Sequence, residues 1–136
     1  MSYERKKLCL DFDGVLHAYV SKWVSADVVL DPPVRGAMEF LHEAVDRCEV
    51  TVFSSRSRQA GGIEAMKSWL KSNLMSRFGV TEAYRVLSRI EFPEERPIYD
   101  LFLDDHGYQF VGQFPAFDEI DAFVPWTKGK SVEEVS

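Results

Sequence analysis

At 136 residues, 46% hydrophobic and 28% charged, the chain has the size and balance of one ordinary globular domain, able to bury roughly two thirds of the surface its unfolded form exposes. Its net charge of -6 argues against a protein that grips nucleic acid by a broad basic surface, and no apolar run approaches the roughly 20 residues of a membrane span. The opening residues are basic but lead into too short an apolar stretch for a secretory signal, so a cytoplasmic protein is the expectation.

Leu8-Cys9-Leu10 reads as a strand buried on both faces, and it runs into Asp11-Phe12-Asp13-Gly14. Two carboxylates about 4 Å apart repel by about 1 kcal/mol in water and about 4 kcal/mol at an effective dielectric near 20, so Asp11 and Asp13 call for a cation or a shared proton. From His17 to Leu30 the pattern has β-rich ends and a polar middle, which predicts a short hairpin or flap. Asp31-Pro32-Pro33 predicts the start of a helix, with Asp31 as its cap and Val34, Ala37, Met38, Leu41, Ala44 and Val45 as its buried stripe. Cys9 and Cys48, in apolar surroundings, read as free thiols without a function.

A second strand, Val50 to Phe53, stops at Ser54-Ser55-Arg56. Ile63, Met66, Leu70 and Leu74 mark a second helix, Tyr84 to Leu87 a third strand, and the proline-flanked run from Glu91 to Pro97 a loop. Ile98 to Leu103 predicts a fourth strand ending in Asp104-Asp105-His106. The aromatics after Phe110 read as core packed on the sheet, and 127–136 as a polar, frayed tail behind a single domain of 1–126. Alternating strands and helices predict a parallel sheet, and in such sheets ligands bind at the carboxyl ends of the strands. That rim gathers Asp11, Asp13, Ser54, Ser55, Asp104 and Asp105. A set of carboxylates and hydroxyls without a cysteine or histidine cluster suits Mg²⁺ with phosphate oxygens as further ligands.

Asp11-Phe12-Asp13-Gly14-Val15, the strand into Ser54, and Leu101-Phe102-Leu103-Asp104-Asp105 resemble the first, second and fourth motifs of the haloacid dehalogenase-like (HAD) phosphohydrolases, in their small phage- or bacterial-type form. The resemblance implies a three-layer, Rossmann-like α/β fold around a parallel sheet, capless because neither interval between motifs has room for a cap domain. It implies a Mg²⁺-dependent phosphatase in which Asp11 is the nucleophile and forms an aspartyl-phosphate. Asp13 would then be the general acid and base, its backbone carbonyl also helping to hold the metal with Asp11, Asp104 and Asp105. Ser54, with Ser55 as second choice, would donate to the phosphoryl oxygens, and Gly14 and Arg56 would border the substrate.

The usual lysine of the third motif is replaced by Arg96, which keeps the positive charge in a different shape. Lys67 or Lys71 could stand in for it. An open site of this kind fits a phosphorylated small molecule or the phosphorylated end of a nucleic acid or protein, closed by Tyr19 and Trp23 of the flap or by an oligomer. His17 and His106 read as flap or surface histidines without catalytic duty. The alternative is a non-catalytic HAD-fold or receiver-like module that binds phosphate and Mg²⁺. The receiver pattern, however, wants its phospho-acceptor at the middle strand, where this chain has serines.

Overall fold

The computed structural model describes residues 5–136; the first four residues of the expected 1–126 domain and of the basic opening segment lie outside the described residues. Four parallel strands, β1 (Lys7–Leu10), β2 (Glu49–Val52), β3 (Ile90–Glu91) and β4 (Leu101–Leu103), lie in the order β3-β2-β1-β4. The first crossover carries α1 (Ala37–Arg47) and the second carries α2 (Gly62–Phe78) and α3 (Val80–Ser88). Both crossovers step the same way across the sheet. Right-handed connections then put all three helices on one face. Leu8, Leu10, Val50, Val52 and Ile90 from the strands meet Met38, Leu41, Val45, Met66, Leu70, Leu74 and Val86 from the helices in one core.

The chain reverses direction only between β3 and β4, and that connection holds no helix. The result is an α/β fold around a central four-stranded parallel sheet, compatible with the expected Rossmann-like arrangement. Cys9, which alternates with Leu8 and Leu10 along β1, is buried as well, and β4 is left as a half-exposed edge. Both cysteines are free, Cys9 buried and Cys48 half-buried.

Five local expectations are corrected. The helix expected from Asp31 begins at Ala37, behind Gly36 in the left-handed region at φ 83°. The two prolines keep their predecessors extended, and this stretch pairs with the chain after β1: the Ala18 amide donates to the Pro32 carbonyl and the Val34 amide to the Leu16 carbonyl, each at 2.9 Å. No hairpin forms between residues 18 and 30, where the backbone is an irregular loop.

The strand expected at Tyr84 to Leu87 is the body of α3. Its buried positions Ala83 and Val86 are three apart, a helical spacing, while Tyr84 is exposed. The aromatics expected in the core lie outside it. Phe114 is 83% and Phe117 81% exposed, and α4 (Phe117–Ala122) buries no residue. The tail is docked rather than frayed. Its last helix, α5 (Val132–Val135), buries Val135, whose carbonyl accepts the Arg35 amide at 2.8 Å. Among the described residues no helix is long and apolar enough to cross a membrane.

Candidate functional site

The strand order reverses between β1 and β4, and an open parallel sheet forms its ligand crevice at such a switch point. The ladder continues one residue past each strand. The Asp11 amide donates to the Leu103 carbonyl and the Phe53 amide to the Leu10 carbonyl, both at 3.0 Å. This places Asp11 between Asp104-Asp105 on one side and Ser54 on the other. Carboxylate oxygens of Asp11, Asp104 and Asp105 lie within 4.8 Å of one another.

Gly14 makes that approach feasible. A Cβ there would stand 2.2 Å from Asp105 Oδ2, and φ of 82° is a conformation L-residues rarely take. Its amide donates to the His17 carbonyl at 2.8 Å, and its carbonyl accepts the Trp126 indole N–H at 2.7 Å. Gly14 is thus a spacer for Asp105 whose own polar groups are already bonded within the chain.

The electrostatics of the cluster follow from burial and like charge. Burial, then the neighbouring Asp105, push Asp11 up to about 8, and burial also raises Asp105. Asp105 Oδ1 is buried with no hydrogen-bond partner among the described residues. Buried oxygens are ordinarily satisfied. Three converging carboxylates and one orphaned oxygen are a fitting donor set for a hard, oxygen-seeking dication.

The Asp13 carboxylate is not in this cluster, which is made of side-chain oxygens and leaves aside the Asp13 backbone carbonyl, the atom expected to help hold the metal. Asp13 Oδ1 is 2.8 Å from His17 Nδ1 and Asp13 Oδ2 accepts from Arg56 Nε at 2.9 Å. Burial pushes Asp13 up, but these two hydrogen bonds outweigh it and hold the carboxyl below the usual value. The Asp31 amide donates to His17 Nε2 at 2.9 Å, so the ring proton sits on Nδ1 and points at Asp13. His17 is 2% exposed and bridges the first-strand loop to Asp31, a duty the sequence reading did not give it. Its position four residues after Asp13 within Val15-Leu16-His17-Ala18, an apolar setting, was the available signal.

Arg56 is likewise placed away from the role expected of it. It is 1% exposed, and its Nη1 donates to the carbonyls of Ser25, Ala26 and Val28 at 3.3, 2.9 and 2.9 Å. Its guanidinium lies between Phe12 and Trp23, with Cζ 5.7 and 4.6 Å from the ring centroids. Arg56 is the second residue of the 3-10 turn Ser55–Arg58, and Gly62 leaves room for its carbonyl, since a Cβ there would fall 1.9 Å away.

A cleft of about 600 Å³ opens over this site, lined by Asp11, Asp13, Tyr19, Trp23, Ser54, Ser55, Gln59, Asp105 and His106. Ser54 is nearly buried, and its hydroxyl oxygen accepts the Arg56 amide at 3.1 Å, which leaves its proton free to donate into the cleft. Ser55 is exposed at the rim. His106 Nε2 is 3.5 Å from Asp105 Oδ2.

Arg96 does not line this cleft. It borders a separate cavity of about 450 Å³ with Phe53, Tyr99, Phe102 and the outer side of Asp104, and it bonds the Tyr99 hydroxyl. Lys67 lies over Phe92 and Lys71 over Tyr84, and neither lines the cleft. The structure thus brings together Asp11, Asp13, Ser54, Ser55, Asp104 and Asp105 and leaves Arg96 apart. The chain matches no family model, no curated protein and no solved structure.

Proposed function

We propose that the protein is a Mg²⁺-dependent phosphomonoester hydrolase of the HAD type, working through an aspartyl-phosphate on Asp11. The observation that carries this reading is the convergence of Asp11, Asp104 and Asp105 beside the donor-ready Ser54 at the switch point of a parallel sheet. Asp11, Asp104 and Asp105 would hold the dication, which supplies charge neutralisation at the phosphoryl oxygens.

In the first half-reaction an Asp11 carboxylate oxygen attacks phosphorus as the bond to the ester oxygen breaks, and Asp13 gives that oxygen a proton. In the second, water attacks the phosphoryl group and passes its proton to Asp13, the bond to Asp11 breaks, and inorganic phosphate leaves. Asp13, held ionised by His17 and Arg56, is in the form the second step needs. For the first step Asp13 takes up a proton from solvent, which a bound phosphoryl dianion nearby favours by raising its proton affinity, and the proton given to the leaving oxygen is replaced by the one that water passes back. Ser54, and Ser55 at the rim, donate to the non-bridging oxygens.

The alternative is a phosphate- and Mg²⁺-binding module without turnover. One observation favours it: no lysine or arginine lines the cleft among the described residues. Phosphate release from a panel of phosphomonoesters, with Mg²⁺ and with chelator, decides between the two. The hydrolase reading expects Mg²⁺-dependent release that falls by on the order of a thousandfold or more in Asp11→Asn, with the melting temperature maintained. Mg²⁺ binding with no release from the wild type would establish the module instead.

A further inference from the structure

The loop between Leu16 and Pro33 is clamped at both ends. Arg56 binds its far half through the Ser25, Ala26 and Val28 carbonyls. Asp31, itself buried, accepts the amides of Val20 and Ser21 at 2.8 and 2.7 Å and the Ser21 hydroxyl at 2.6 Å, and its carbonyl takes the Trp69 indole N–H at 2.8 Å. Trp23 stands between the two clamps. One side of its indole rests on the Arg56 guanidinium, yet the residue is 41% exposed and lines the cleft.

Tyr19 lines the same wall. Its φ of 53° makes it the one non-glycine residue, among those described, with a positive φ. Backbone in that region is costly, and persists where surrounding structure enforces it. Two aromatic side chains therefore stand at the mouth of the cleft, on a loop whose backbone is tied down by Arg56 and Asp31.

This wall reaches the site through a short path. Trp23 stacks on Arg56, and Arg56 bonds Asp13, the group that faces the leaving oxygen in the reading above. The part of a substrate beyond its ester oxygen would meet an indole and a phenol. A flat π-system gains from stacking on such rings, by about 1–3 kcal/mol for a nucleobase. The cleft also lacks a lysine or arginine for a second phosphate, among the described residues, and three carboxylates border its floor.

We infer that the site takes a phosphate monoester carrying a single phosphoryl group and a planar aromatic ring on its alcohol side, with that ring stacked on Trp23. The inference rests on the hydrolase reading for the placement of the phosphoryl group at Asp11. Nucleoside monophosphates and aryl phosphates share this chemistry.

Matched pairs that differ by the ring test it: adenosine 5′-monophosphate against ribose 5-phosphate, and O-phosphotyrosine against O-phosphoserine, each with Mg²⁺. The ringed member of at least one pair is expected to show a kcat/KM about tenfold or more above its ringless partner, and the pair that shows it names the source. Trp23→Ala should lower the ringed member's kcat/KM about tenfold more than the ringless member's, and Trp23→Phe should restore most of the difference. Equal losses on both members would reduce Trp23 to a buttress for Arg56 and overturn the inference. Parity within both pairs in the wild type would overturn it whatever the variants do.

If no compound is turned over, titration calorimetry of the same four compounds separates the two readings. Ring-selective binding upholds the inference while the hydrolase reading falls, and binding without ring selectivity, or none, overturns it. Adenosine 5′-diphosphate binding as tightly as the monophosphate would refute the single-phosphoryl requirement.

Discussion

Arg56 has its guanidinium packed between Phe12 and Trp23, and the bonds of its Nε and Nη1 go to Asp13 and three loop carbonyls. Removing one partner of a buried ion pair leaves the other charged and unsolvated, at a cost of about 3–5 kcal/mol. Arg56→Met is expected to lower stability by that amount in urea denaturation, and Arg56→Lys to recover only part, because an ammonium cannot reproduce the fork that spans carboxylate and carbonyls. An unchanged urea midpoint in Arg56→Met would return Arg56 to a role in binding substrate. From sequence, an arginine following serines at a strand end reads as a phosphate ligand; nothing local reveals that residues 25–28 will fold over it. Asp11, Ser54, Asp104 and Asp105 were readable for the opposite reason. Asp11, Ser54 and Asp104 directly follow apolar runs and Asp105 comes next after Asp104, and the parallel topology alone brings such ends to one rim.

The helices α1, α2 and α3 stabilise the sheet by burying one face each, and the exposed aromatics of α4 contribute nothing comparable. Leu70 is fully buried in the core, so Leu70→Ala should cost about 2–5 kcal/mol. Phe117→Ser, at a position 81% exposed, should change stability by no more than about 0.5 kcal/mol, although it removes the larger side chain. Chemical denaturation of the two variants checks both, and a large loss in Phe117→Ser would mean that α4 is packed in solution. β1, β2 and β4 were legible because short apolar runs bounded by polar residues have few alternatives. α3 was not, because Tyr84-Arg85-Val86-Leu87 is rich in β-formers, and only the contacts of Ala83 and Val86 with the core override that preference. The start of α1 was misplaced because Asp31 spends its carboxylate on Val20 and Ser21 instead of on a helix end.

Across the whole molecule, the carboxylate cluster sets how stability depends on pH. In the metal-free protein Asp11 is raised from 3.8 to about 8, so between those values the folded state holds a proton that the unfolded chain has released. This contribution is complete below about pH 4 and is lost as pH rises through about 8. Asp13 and Asp31, both lowered, contribute in the other direction, present above 3.8 and lost on acidification. Thermal melts in chelator should therefore show a melting temperature that falls from about pH 5 to about pH 8, and Mg²⁺ should raise it more at the upper end. A Mg²⁺ effect that is larger at the lower pH would contradict the assignment of the cluster. The sheet itself is graded: β1 lies in its middle with Cys9 and Leu10 buried, whereas β4 is an edge with Leu101 half-exposed. Edge strands open by local fluctuation and central ones only with global unfolding. Amide hydrogens at 101–103 should exchange with solvent deuterium sooner than those at 8–10. Asp104 and Asp105 ride on the strand that opens first and Asp11 on the one that opens last, so a dication shared among them would fasten the labile edge to the slow centre. Mg²⁺ should then slow deuterium uptake at 101–105 far more than at 8–10.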